Sequence, residues 1–133
     1  MTQGVELRIP NERPFHGVAR LVVGGLAARH NLSYEALEDL QLALFTVLED
    51  GYASADEIKV ELDISEDAIT MAIGPLNGDV VRADLERSSD GDLGLGRLLA
   101  TLVEDAAVEA REDGDWLRLA KRVRGVKPPG TNA

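Results

Sequence analysis

Alternating hydrophobic and polar positions predict three β-strands in the first part of the chain. In Val5–Ile9, Ile58–Ile64 and Ile69–Ile73, every second residue is a large hydrophobic one, which is the period of a strand with one buried and one solvated face. Pro10 ends the first strand, because proline cannot donate to a sheet ladder. The short polar segment Ser65–Asp67 joins the other two strands and predicts a hairpin.

A helix is predicted over Pro14–His30, because its hydrophobic residues return at a spacing of three and four. The pair Gly24-Gly25 disfavours a helix and is interpreted as close packing against a neighbouring element, with a hinge as the alternative. The face predicted to be buried consists of Val18, Leu21, Val22, Gly25 and Leu26.

A second helix is predicted from Ser33 to about Asp50. Ser33 suits the N-cap, Glu35 complements the dipole in the first turn, and Gly51 suits the position after the helix. Two adjacent hydrophobic stripes leave only a narrow solvated face. They consist of Leu37, Leu40, Leu44, Val47 and Leu48, and of Leu42 and Phe45.

The segment Gly74–Gly91 is rich in glycine and polar residues. It predicts a long mobile loop with a short helix near Val81–Leu85, and loops of that length are usually functional or disordered. Gly94-Leu95-Gly96 then begins a third long helix. Its hydrophobic stripe consists of Leu95, Leu98, Leu99, Leu102 and Val103.

Two short strands are predicted to close the domain, over Ala107–Arg111 and Trp116–Val123. Asp113-Gly114 between them favours a type I′ turn, and Trp116 is expected to cover an edge of the core. The order of elements, with strands joined mainly by hairpins, predicts an α+β two-layer sandwich with helices on one face of a mixed sheet. We expect one domain over residues 1–124 and a disordered tail over residues 125–133.

The amino-acid composition excludes several classes of function. Lys and Arg number 14 and Asp and Glu 24, a formal net charge of -10, so direct binding to nucleic acid is not expected. A basic cluster is interpreted as a solvated strand edge and tail, and it consists of Lys121, Arg122, Arg124 and Lys127. There is no cysteine, which excludes disulfides and thiol chemistry. No apolar run reaches about 18 residues and the N-terminus is unlike a signal peptide, which predicts a cytoplasmic protein without membrane contact.

Two short segments could carry chemistry. Backbone N–H groups at Gly94-Leu95-Gly96 could hold a phosphate at a helix N-terminus, although a helix start that needs small residues explains the same pattern. Thr46 and Asp50 are four residues apart and share a helix face, where a carboxylate could bind Mg²⁺. A solvated acidic helix end is the alternative there. His16 and His30 are interpreted as surface groups.

Three local patterns resemble the anti-sigma-factor serine kinases of the GHKL (Bergerat, histidine-kinase-like ATPase) superfamily, over about Val5 to Val123. They are the helix containing Leu37–Leu44, the segment Asp92–Leu99, which resembles the second glycine box, and the closing Leu119-Ala120-Lys121. The resemblance implies a Bergerat-type sandwich, a lid-like loop over residues 75–93, and ATP with Mg²⁺ as cofactors. The residues it assigns to the nucleotide are Gly78, Leu93, Gly94, Leu95 and Gly96.

Two family motifs are altered here. The N box of the family has a catalytic glutamate and, four residues later, a magnesium-binding asparagine, where this chain has Thr46 and Asp50. Threonine cannot accept a proton near neutral pH, whereas Asp50 can bind the metal. The first glycine box, Asp-x-Gly-x-Gly, corresponds to Gly74–Gly78, which lacks the aspartate that accepts from adenine. A shift of register would instead let Glu49 and Asp79 replace the missing acids.

The resemblance therefore implies a regulatory protein that acts by partner binding, with kinase activity lost, no catalytic residue and doubtful use of ATP and Mg²⁺. Its implied partners are a sigma factor and an anti-anti-sigma protein of the STAS type, and a homodimer is the inherited expectation. An active serine kinase is the first alternative. A pocket adapted to another small ligand, or to none, is the second, because Pro75 and Leu76 would reshape it.

Overall fold

A computed structural model describes residues 3–29, 32–87 and 94–122. The chain forms strands and helices in the order β1 (Gln3–Pro10), α1 (Arg13–Arg29), α2 (Tyr34–Glu49), β2 (Glu57–Ile64), β3 (Ala68–Leu76), α3 (Gly78–Glu86), α4 (Leu95–Leu102), β4 (Asp105–Arg111) and β5 (Gly114–Arg122). This confirms the α+β class and the two-layer arrangement.

The five strands form one sheet in the order β1-β2-β3-β5-β4. Every pair of neighbouring strands is antiparallel, so the prediction of a mixed sheet is wrong. Between β1 and β2 the chain makes two helical passes, which return it in the opposite direction. A single crossover helix would have made that pair parallel.

The core lies between one face of the sheet and the helices. Alternation along each strand turns Ile58, Val60, Ile73 and Leu117 toward α2 and α4, and each of these residues is fully buried. From the helices, Leu40, Leu44 and Leu99 complete the same cluster.

The predicted boundaries of α2 are confirmed. The Ser33 hydroxyl accepts from the Ala36 amide at 3.1 Å, Asp50 is the C-cap, and Gly51 has a φ of 78°. At the other end of the core, the Lys121 ammonium donates to the Leu102 carbonyl at 2.8 Å and to Asp39 at 3.0 Å. Lys121 thus joins β5 to α2 through Asp39 and to α4 through Leu102. The interpretation of Lys121 as part of a solvated strand edge is therefore wrong. Arg122 is exposed, and Arg124 and Lys127 lie outside the described residues.

The buried face of α1 differs from the predicted one. His16, Ala19 and Val23 face the core, whereas Val18 is 44% and Leu21 74% exposed. Because α1 has hydrophobic residues on both sides, periodicity alone did not distinguish the two faces. The side that packs inward is the one with small Ala19, which permits a close approach.

The two adjacent glycines of α1 have different surroundings. A Cβ on Gly24 would lie 2.4 Å from Nε2 of Gln41, which donates to the Arg20 carbonyl, whereas a Cβ on Gly25 would meet nothing within 4 Å. Close packing against α2, the favoured interpretation, is therefore confirmed for Gly24. His16 is buried, so its assignment to the surface is wrong, and His30 lies outside the described residues.

Two local predictions in the second half need correction. Within residues 75–93 the structure contains α3, which is longer than the helix predicted near Val81–Leu85, while mobility of that segment stays a prediction. The closing turn lies one residue earlier than predicted, because Arg111 pairs with Gly114 and leaves Glu112 and Asp113 in the turn.

The tail over residues 125–133 lies outside the described part of the chain. In the described ranges, no helix is both long and apolar enough to cross a membrane.

Candidate functional site

The C-terminal end of α2 brings the predicted metal position to the surface. The Asp50 amide donates to the Thr46 carbonyl at 3.1 Å, which closes the last turn of the helix. Thr46 is half-buried and Asp50 is exposed. The two residues therefore share one side of the helix end, as their spacing predicted.

A second carboxylate, that of Asp84 in α3, faces this helix end. The Tyr52 hydroxyl donates to Oδ2 of Asp84 at 2.6 Å, and Arg87 forms an ion pair with Oδ1. Partial burial, and then the charges of Asp84 and Glu49, raise the pKa of Asp50 above its usual range. Burial and the bond to Asp84 raise the pKa of the Tyr52 hydroxyl well above its usual range.

The N-terminus of α4 reaches the same place. Gly94 is the N-cap, with no side-chain cap, and a Cβ on it would lie 3.9 Å from the Asp84 carbonyl oxygen. Leu95 is 5% exposed and belongs to the hydrophobic core, so only its backbone could serve a ligand. The structure thus brings Asp50, Asp84 and Gly94 together, while Leu93 lies outside the described residues.

The altered first glycine box is closely packed. Leu76 is buried in the core, and a Cβ on Gly78 would lie 1.9 Å from Oδ2 of Asp115. The space between this segment and β5 has no volume open to a water molecule. Its lining residues are Leu76, Gly78, Val81, Val108, Asp115 and Trp116.

Trp116 occupies the position that the missing aspartate would need. A Cβ on Gly74 would lie 2.4 Å from Cγ of Trp116. The indole is held in place, since its Nε1 donates to Asp113 at 2.8 Å and the Arg111 guanidinium lies 4.1 Å from the ring centroid. Trp116 is buried, which agrees with the prediction that it covers a core edge.

A register shift would require Glu49 to replace the missing catalytic glutamate and Asp79 to replace the missing aspartate, and neither side chain points that way. Glu49 accepts from the His16 ring at Nδ1, 2.6 Å away, and also pairs with Arg13, so it faces α1. Asp79 is 97% exposed and pairs with Arg82 on its own helix. The register-shift hypothesis is therefore wrong.

A shallow depression of about 440 Å³ lies on the outer face of the sheet. Its three cations are Arg8, Lys59 and Arg111, and each of them pairs with a carboxylate of the same face. Because those cations are already neutralised, this face is not a cradle for phosphate.

The residues at the end of α2 do not fit a Mg²⁺–nucleotide in this arrangement. In the described ranges, no three His, Cys, Asp or Glu side chains gather to hold a metal. Nucleotide-bound Mg²⁺ needs only one or two carboxylates, but it also needs room for the phosphates beside them. Here the Asp84 carboxylate adds a second negative charge near Asp50, and the Asp84 carbonyl oxygen lies beside Gly94. Nucleotide binding by Gly78 and Gly94–Gly96, and metal binding by Asp50, stay predictions.

Comparison with known proteins shows the class to which this two-layer fold belongs. The chain is 30% identical to the serine-protein kinase RsbW of Listeria innocua, over 79% of this chain and 78% of the relative. It is 25% identical to RsbW of Bacillus velezensis, over 92% of this chain and 88% of the relative. RsbW of Oceanobacillus iheyensis is 33% identical over 52% of this chain and 48% of the relative. No model of a known protein family matches the sequence.

The chain therefore belongs to the RsbW family of anti-sigma-factor serine kinases, which confirms the predicted resemblance. Sequence reasoning missed Tyr52 and Asp84 at this site. The two residues are 32 positions apart, and Asp84 lies in a segment predicted to be mostly loop, so no local spacing could have paired them.

Proposed function

We propose that this protein is an anti-sigma factor that acts by binding its partner and has lost kinase activity. The proposed partners are a sigma factor and an anti-anti-sigma protein that competes with it. The observation that supports this proposal best is an exposed hydrophobic face on α1, a helix that also has no acidic residue.

The exposed side of α1 offers a contact surface of the kind that protein partners use. Phe15 is 38%, Val18 44% and Leu21 74% exposed. Three large hydrophobic side chains on one helix are more than the scattered exposed residues of an ordinary surface. We call this surface, made of Phe15, Val18 and Leu21, the α1 face.

Charge indicates what the α1 face would bind. α1 contains no Asp or Glu and three arginines, of which Arg13 pairs with Glu49 of α2 and Arg20 and Arg29 add positive charge, although the whole chain has a net charge of -10. A partner segment with hydrophobic residues flanked by acidic ones would complement it. Binding to such a segment would weaken as salt is added.

The site at the end of α2 supports loss of catalysis. Thr46 cannot act as a general base, Leu76 is buried where the family has a glycine, and Asp84 adds a negative charge near Asp50. Phosphoryl transfer depends mainly on positioning and electrostatics. In this site the missing general base and the altered glycine box disfavour positioning, and the negative charge of Asp84 disfavours the electrostatics of phosphoryl transfer.

An active serine kinase is the second candidate, because the relatives are named serine-protein kinases. A kinase of this kind would have to bind ATP together with Mg²⁺. A homodimer stays part of the proposal as an inherited expectation.

Thermal unfolding with nucleotides distinguishes the two candidates. A ligand present at about 100 times its Kd stabilises a one-site protein by about 2.7 kcal/mol, which is several degrees for a domain of this size. We expect no change in the melting temperature Tm with 1 mM ATP, ADP or a non-hydrolysable ATP analogue, with or without Mg²⁺. A Mg²⁺-dependent rise of several degrees would contradict this proposal and support the kinase.

A further inference from the structure

The outward side of α1 carries a regular line of exposed residues that follow one another at spacings of four, three, four and three. They are Pro14, Val18, Leu21, Gly25 and Ala28. Apolar residues that return every 3.5 positions form the contact line of one helix packed along another. We call these five residues the α1 seam.

The α1 seam lacks the charge that an exposed helix face ordinarily has. Charged residues make up 29% of the chain, and they usually occupy the side of a helix that faces water. None of the five seam residues is charged, whereas Arg20 and Arg29, which are exposed on the same helix, lie next to the seam in the sequence. An apolar line with charged flanks is typical of a helix that packs against a second helix.

Gly25 indicates how closely a second helix would approach. A Cβ on Gly25 would meet no atom of the described residues within 4 Å, so packing within that part of the chain does not require glycine there. Glycine nevertheless disfavours a helix. Because it has no side chain, it lets another backbone come close, and Ala28 one turn later adds only a methyl group.

We infer that the α1 seam is the docking site for an α-helix of the protein partner, whose apolar stripe is flanked by acidic residues. This inference rests on the proposed function and specifies the structure of the partner that the α1 face binds. Acidic flanks would pair with Arg20 and Arg29. In a pair of α1 helices from two copies of this chain, the same arginines would meet like charges, which disfavours a second copy as the occupant.

Single-cysteine variants can map this contact, because the chain has no cysteine of its own. Val18→Cys, Leu21→Cys and Ala28→Cys place a thiol on the seam. Ala83→Cys on α3 is the matched control, since Ala83 is exposed as Ala28 is. Each variant is alkylated with and without the sigma factor or anti-anti-sigma protein that forms a complex, and the labelled fraction is measured by mass spectrometry.

We expect the partner to slow alkylation at all three seam positions by at least about tenfold, because thiol reactivity depends on exposure. Alkylation of Ala83→Cys should not change. Protection from position 18 to position 28 would extend over about 15 Å of helix, which is the footprint of a helix lying along α1.

Gly25→Ala tests the close approach separately from folding. The Tm of the free protein should not fall, because alanine is the better helix former. The added methyl group would overpack the contact with the partner helix, so the affinity should fall about tenfold in calorimetric titration. Gly4→Ala is the control, because a Cβ on Gly4 of β1 also meets nothing within 4 Å, and it should leave the affinity unchanged.

Equal alkylation of the seam with and without a partner that forms a complex would overturn the inference, and so would a Gly25→Ala complex as tight as that of the unaltered protein. Protection that needs no partner and grows with the concentration of this protein would also overturn it, because a second copy would then be the occupant. The proposed function fails by different results, namely phosphoryl transfer by the unaltered protein or no complex with any of these partners. The absence of every complex would overturn the inference as well.

Discussion

Leu21→Asp is expected to weaken partner binding strongly and leave the fold intact. Leu21 is 74% exposed, so the substitution creates no cavity, and exposed substitutions usually change stability by no more than about 0.5 kcal/mol. A central hydrophobic contact in a protein interface is worth about 2 kcal/mol or more. The affinity for the proposed sigma-factor partner should therefore fall at least about 30-fold, as measured by calorimetric titration, with Tm nearly unchanged.

A matched pair of valines provides the control. Val18 on α1 and Val80 on α3 have the same exposed fraction, 44%. Val18→Asp should weaken the complex as Leu21→Asp does, and Val80→Asp should leave it unchanged. Equal losses for Val18→Asp and Val80→Asp would show that the partner does not select the α1 face.

Gly74→Asp, which restores the aspartate of the family, is expected to destabilise the protein and not to create an adenine site. Any Cβ at this position would lie 2.4 Å from Cγ of the buried Trp116. Overpacking together with a buried carboxylate costs roughly 3 kcal/mol, which corresponds to a fall in Tm of about 10 °C for a domain of this size.

Gly25→Ala and Trp116→Ala are the controls for that experiment. A Cβ on Gly25 meets no atom within 4 Å, so alanine there should be neutral or stabilise α1 by about 0.5–1 kcal/mol. The double variant Gly74→Asp with Trp116→Ala should lose less stability than the sum of its parts, because the two side chains compete for one space. A stable Gly74→Asp protein that binds ADP would show instead that position 74 faces a working pocket.

The elements of the fold could be predicted from the sequence where one face is clearly hydrophobic. The hairpin of β2 and β3 and the capped helix α2 are of this kind, because strand alternation and the Ser33 cap act locally. α1 is the opposite case. It has hydrophobic residues on both sides, so the choice of buried face depends on the packing of small residues, Ala19 against the core and Gly24 against Gln41.

The candidate site could be predicted only in part. The positions of Thr46, Asp50 and Gly94 followed from short-range spacing and resemblance. The Tyr52–Asp84 contact and the closure of Gly74 by Trp116 join residues that are 32 and 42 positions apart in the sequence. Contacts of that range arise from tertiary packing, which a single sequence does not encode as a local pattern.

The proposed function requires that this protein binds its partner without transferring phosphate to it. The most direct test incubates the protein with Mg²⁺, radiolabelled ATP, and each sigma factor and anti-anti-sigma protein of its source organism. Phosphate transfer and complex formation are then measured in the same samples. We expect a stable complex with a sigma factor and no label on any partner. Label on a partner serine, lost when Asp50 is replaced by alanine, would contradict it.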